Sequence, residues 1–268
     1  MRYNRRKNMA DGFASGLFNK VVMSVFPLII RTAVIKILGS QYLGLNSLFI
    51  SILNVLTLSE LGFGAALVYE MYQPIAEDDE KKVCALLAYY KKIHRIAGTV
   101  ILLIGVLLVP FLEFFIKGGC PPEINIYILY AVYIFNTVIT YYTFAYKASL
   151  LRAHQRTDVI NNVAAAVHIA AYSLQLLILI KIKNYYAYII VLPIFTILNN
   201  FIAAYKADRL YPQYQCRGEL DKQDQIKIFS QVKALFGHKL GGVLVNSTDN
   251  IILSYSLGLT AVALYNNY

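Results

Sequence analysis

The sequence predicts an all-α integral membrane protein: a six-helix transmembrane lobe, then the first helix of a second lobe, with the N-terminus cytoplasmic. Three observations carry that reading. The 268 residues are 58% hydrophobic and 15% charged, with a mean hydropathy of +0.53, whereas soluble domains carry about 25% charged residues. Apolar runs repeatedly reach the ~20 residues that a helix needs to cross a bilayer. Lys and Arg gather in alternate connections, as they do when those connections lie in the cytoplasm.

Seven apolar segments follow in order, at residues 13–38, 43–69, 96–116, 124–150, 158–181, 185–206 and 238–257. The first follows a basic start, "MRYNRRKN", that resembles a signal-peptide leader. Its apolar run is too long for one, contains Arg31 and lacks a small-x-small cleavage pattern, so it reads as a retained helix. With the N-terminus inside, nineteen of the 25 Lys and Arg residues fall in cytoplasmic connections or the N-terminus. Only Lys117, Lys181 and Lys183 fall outside; Lys20, Arg31 and Lys36 belong to the first helix. That asymmetry argues against a seven-helix receptor, whose N-terminus is outside. It also accounts for the net charge of +10 without a nucleic-acid partner.

Two connections read as amphipathic elbows on the membrane surface. One is "EKKVCALLAYYKKIHRI", before the third span. The other is "DKQDQIKIFSQVKALFGHKL", with Ile228, Val232, Leu235 and Phe236 at helical spacing. The organisation expected is a six-helix lobe over 1–210, a cytoplasmic amphipathic connection over 211–237, and the first helix of a second, incomplete lobe over 238–268. A faint echo supports the second lobe. A shift of 219 residues superposes Leu38 on Leu257, Gly39 on Gly258 and Leu45 on Leu264, with Gly44 meeting Ala263. Transporters are often built from such repeats.

Cys84, Cys120 and Cys216 are odd in number and far apart, which argues against a disulfide framework or a metal site. No phosphate-binding G-x-x-x-x-G-K-[ST] loop, no H-E-x-x-H and no acidic loop cluster is present. The expectation is therefore a non-enzyme with no cofactor and no metal.

Polar stripes mark the spans. Helical positions i, i+4, i+7 and i+11 share a face. Lys20, Ser24, Pro27 and Arg31 do so on the first span, while Lys36 points the other way near the outer end, where it can snorkel. Ser47, Ser51 and Asn54 share a face on the second span, and Asn136, Thr140, Thr143 and Lys147 on the fourth. The fifth carries Asn161, Ala165, His168, Tyr172 and Gln175; the seventh clusters Asn246, Asp249 and Asn250. Each stripe alone fits hydrogen bonding between helices. Together with Lys20, Arg31 and Lys147 they suggest a water-filled cavity, basic on one side and suited to a phosphate or pyrophosphate. Arg31 is the most telling, because a guanidinium stays charged and at a bilayer centre costs roughly 2.5–3.5 kcal/mol. Glu60 in "TLSELGFGAAL" reads either as a structural ion-pair partner or as a coupling-ion ligand, and Asp249 poses the same question. His168 reads as a proton relay or as an interhelical hydrogen-bonding group.

The block from Arg31 through "KILGSQYLGLNSLF" to "SELGFGAALVYE", together with "STDNIILSYSLGLTAVALYNNY", resembles a known family. It is similar to the polysaccharide flippases, exporters of O-antigen and capsule repeat units, in the multidrug/oligosaccharidyl-lipid/polysaccharide exporter superfamily. The resemblance implies two six-helix lobes around a central cavity. It implies alternating access that carries an anionic, undecaprenyl-pyrophosphate-linked oligosaccharide from the inner to the outer leaflet of the cytoplasmic membrane; Na⁺ or H⁺ as a coupling cation, or the membrane potential, stay open as the driving force. Arg31 matches a basic first-helix position suited to the pyrophosphate; Lys20, Lys147, Asn54 and Asn136 are the further substrate contacts expected. Family members usually have twelve to fourteen spans, so this chain resembles about half of one, either truncated or assembling from two chains. A cation-coupled multidrug exporter of the same superfamily and a non-transporting membrane subunit are the alternatives.

Overall fold

The structure is a computed structural model. It describes residues 5–57 and 62–266, with the backbone alone at 5–9, 238, 239, 244 and 246. Among the described residues there is helix and no strand. The helices are α1 (Arg5–Ile37), α2 (Ser40–Leu56), α3 (Phe63–Ala76), α4 (Glu80–Leu108), α5 (Ile126–Tyr142), α6 (Ala148–Ala153), α7 (Thr157–Lys181), α8 (Tyr185–Leu210), α9 (Lys222–Leu257) and α10 (Leu259–Tyr265).

Four of these are long and apolar enough to cross a membrane: Ala10–Ile37 of α1, α4 with its extension to Phe111, α7 and α8. A fifth span forms if α5 and the Ala145–Ala153 segment, bent by 50°, count as one. The chain is a multi-pass membrane protein. The expected second segment is divided, with α2 ending at Leu56 and α3 starting at Phe63. The fourth breaks at Phe144, whose φ of 38° is left-handed.

The two expected surface elbows are continuous with longer helices. Neither is a separate helix: the first forms the opening turns of α4, capped by the Asp79 carboxylate on the Lys82 N–H at 3.0 Å, and the second opens the 36-residue α9. The reason is that their apolar faces meet protein. Val83, Leu86 and Leu87 of α4 and Ile228 and Val232 of α9 are buried in one cluster with Leu67 and Met71 of α3. Ion pairs fasten the same helices, Lys82 to Asp224 at 3.0 Å and Lys227 to Glu70 at 2.9 Å. Ile226, Phe229 and Phe236 of the same stretch of α9 remain exposed.

A second core lies further along the bundle. Leu45, Leu48 and Phe49 of α2 pack there with Ile101 of α4, Leu129 and Tyr130 of α5 and Leu259 of α10. Around it α1 packs chiefly on α7, α5 and α7 on α8, and α2 on α9 and α10. The two glycines of the sequence echo occupy equivalent turns. Gly39 (φ 116°, ψ 162°) joins α1 to α2, and Gly258 (φ 87°, ψ 176°) joins α9 to α10. Both angles suit glycine because L side chains clash there.

Candidate functional site

The site is built on α1. Ser15, Val22 and Ile30 are buried, and Phe26 stacks on Tyr172 of α7 at 5.7 Å between centroids. Those positions fall on one side of the helix, with Lys20, Ser24, Pro27 and Arg31 on the opposite side. The packed face thus turns the polar stripe outward: Lys20 and Ser24 are exposed, Pro27 and Arg31 half-buried. Lys36 is exposed on its own.

Arg31 reaches α10. Its Nη1 donates to the backbone carbonyl of Asn266 at 2.8 Å, just past the last turn of that helix, where unpaired carbonyls concentrate negative potential. The Asn266 side chain continues the network. Its Nδ2 donates to Asn250 Oδ1 at 2.6 Å, and Asn250 Nδ2 donates to Ser51 Oγ at 2.8 Å. Four helices, α1, α10, α9 and α2, are joined through one chain of polar groups. Arg31 makes no ion pair with a described residue.

The other expected residues are distributed differently. Asn54 is exposed near the end of α2, while Ser51 on the same stripe is buried against Asn250. The fourth-span stripe forms a seam with α8. Asn136 Oδ1 accepts from Thr196 Oγ1 at 2.8 Å, Thr143 Oγ1 accepts from Asn200 Nδ2 at 2.9 Å, and Lys147 ion-pairs with Asp208. In this structure Asn136 and Lys147 join helices to one another and are not gathered with Arg31. The partners Thr196, Asn200 and Asp208 went unnoticed in the sequence, although Thr196 and Asn200, four apart, share a helix face. Asp249 Oδ2 accepts from the Tyr265 hydroxyl at 2.6 Å, one residue from the Arg31 network. His168 stacks on Tyr172 at 5.8 Å, and its buried Nδ1 has no hydrogen-bond partner among the described residues. Gln175, further along that stripe, donates to the Tyr188 carbonyl at 3.3 Å. Glu60 lies outside the described residues.

The arrangement therefore offers one half-buried, permanently charged donor, with Lys20 eleven residues earlier on the same open face. Such a face can hold an anion. No curated protein and no solved structure matches the chain. One family model, described as "Polysaccharide biosynthesis protein", matches residues 9–268. The match covers nearly all of the chain, including Arg31, the Gly39 turn and the Asn250–Asn266 pair, and the chain belongs to the polysaccharide biosynthesis protein family.

Proposed function

We propose that this protein is a flippase that moves an undecaprenyl-pyrophosphate-linked oligosaccharide from the inner to the outer leaflet of the cytoplasmic membrane by alternating access. Family membership supports the coarse part, since members of the family are generally transporters rather than enzymes. The observation that carries the finer part is the state of Arg31. It is an obligate cation, half-buried in a spanning helix, whose described partner is a neutral carbonyl. A carboxylate there would cancel the charge; a carbonyl orients the guanidinium and leaves its charge for a diphosphate.

In this reading residues 1–210 form the first lobe and 211–237 the connection, and 238–268 begins the second lobe. The matched glycine turns at Gly39 and Gly258 support that division. Lys20 extends the anion path along α1, and Asn54 lies on the exposed side of α2. Asp249 is the described carboxylate we assign to a coupling Na⁺ or H⁺.

The test is surface-polysaccharide export in cells that depend on this protein. Arg31→Ala abolishes export at normal expression, and Arg31→Lys keeps part of it. Wild-type export by Arg31→Ala, at matched membrane levels, removes the anion role.

A further inference from the structure

We infer that the crevice between α7 and α8 is a binding site for an anionic membrane phospholipid, separate from the Arg31 face. The crevice has a volume of about 650 Å³, within the range of roughly 300–1,000 Å³ typical of ligand clefts. It opens at the basic end of the bundle, where α7 begins and α8 ends.

Its rim and its wall differ in chemistry. Arg156, Lys206 and Arg209 line the rim. Arg156 is already engaged, donating to both carboxylate oxygens of Asp158 at 2.9 and 3.0 Å. Lys206 and Arg209 make no ion pair with a described residue. Three residues apart on α8, they lie on neighbouring positions of one helix face. No side chain caps the first turn of α7, which starts at the same rim, although the Val159 N–H there donates to the Arg156 carbonyl at 3.2 Å. Deeper in, the wall is apolar, formed by Val163 and Val167 of α7 and Ile202 of α8. Ala166 keeps the crevice open on the α7 side. Beyond it the α8 face continues toward the membrane interior through Leu198, which is exposed.

A phosphate on Lys206 and Arg209 with an acyl chain against Val163, Val167 and Ile202 satisfies both parts. A free phosphate would leave the wall dry and unfilled, and a neutral lipid would leave the two cations unanswered. Basic pockets between spanning helices bind lipid headgroups for this reason.

The full chain, purified in detergent, is titrated with phosphatidylglycerol, phosphatidylcholine and water-soluble glycerol 3-phosphate, and retained lipid is counted by native mass spectrometry. Phosphatidylglycerol is expected to bind best. The Lys206→Gln/Arg209→Gln variant weakens it about thirtyfold, from roughly 1 kcal/mol per basic residue. Lys206→Arg/Arg209→Lys retains the preference, as does Arg217→Gln/Lys222→Gln, which removes two exposed charges, one in the α8–α9 connection and one at the start of α9. Ala166→Phe, which narrows the crevice and keeps every charge, weakens phosphatidylglycerol as well. The proposal is overturned if glycerol 3-phosphate binds as tightly as the lipid, if Arg217→Gln/Lys222→Gln weakens binding equally, or if Ala166→Phe has no effect. The Ala166→Phe arm decides the matter even where the Gln pair does not fold.

Discussion

Gly44 tests how closely α2 and α10 approach. A Cβ built on Gly44 would lie 2.0 Å from the Leu259 carbonyl oxygen and 2.7 Å from its carbon, where contacts under 3.0 Å are essentially never seen. The obstacle is backbone, so the helices must separate by at least about an ångström. Leu259 is 3% exposed and sits in the core with Leu45 and Leu48. Separation therefore loosens that packing and stretches the 2.8 Å bond from Asn250 to Ser51 nearby. Overpacking costs roughly 1–3 kcal/mol, and a rigid obstacle places Gly44→Ala near the upper end. Gly105→Ala is the control. Its Cβ would meet Ile134 Cδ1 at 1.7 Å, a closer clash on paper, but the tip of a side chain can rotate away. Thermal unfolding of both variants in detergent, followed by size-exclusion chromatography, ranks them. If Gly44→Ala unfolds no earlier than Gly105→Ala, the backbones do not meet at Gly44 and the argument fails.

Three further outcomes follow from the geometry. His154 stacks on Tyr211 at 3.9 Å, and burial lowers its pKa from 6.5 to about 4. The fold thus favours the neutral ring, its contribution is complete above pH 6.5, and about 2 kcal/mol is lost as pH falls from there toward 4. Unfolding measured across that range should show the loss in the wild type and a flatter profile in His154→Phe. Double-mutant analysis of Asn136→Ala with Thr196→Val should give a coupling of about 0.6 kcal/mol, typical of hydrogen bonds between membrane helices; a coupling of zero removes the seam. Lys147 pairs with an Asp208 side chain that is half exposed, so Lys147→Ala should destabilise by less than about 1 kcal/mol in a denaturation series.

The helical class, the basic end of the bundle and the apolar face at Ile228 and Val232 were legible because each depends on composition or on helical period alone. The seam between α5 and α8 was half legible. Period shows that Asn136, Thr143 and Lys147 share a face, but not that the face meets Thr196, Asn200 and Asp208 on a helix sixty residues later. The elbows show a related limit. An amphipathic pattern records that one side seeks an apolar neighbour, and lipid and the flank of α3 are equally apolar. The bend at Phe144 had no warning, since neither glycine nor proline marks it and a phenylalanine at φ 38° is a conformation that only tertiary contacts sustain. The turns at Gly39 and Gly258 were visible as a repeated Leu-Gly pair, and glycine there answers a requirement of the backbone.

Arg31 shows what the sequence could pose and only the packing could answer. A charged group at that depth must be compensated, and the alternatives were water, an acidic partner or an oriented dipole. The structure uses a dipole: a carbonyl at the end of α10, held in place because Asn266 is clasped by Asn250 and Asn250 by Ser51. The link to Arg31 is through backbone, so the Asn266 side chain is free to serve the clasp with Asn250 and a bond to the Val262 carbonyl of its own helix at 2.9 Å. Stability and charge are thereby assigned to different atoms of one residue. A substitution at the side chain of Asn266 disturbs the joint between α9, α10 and α2 while the acceptor for Arg31 remains. A substitution of Arg31 removes the cation of this network among the described residues and leaves the Asn266–Asn250–Ser51 joint intact. The bond to the Asn266 carbonyl uses one of the five N–H groups of the guanidinium, and α10 is held to α2 and α9 by packing and by the Asn266–Asn250 bond as well.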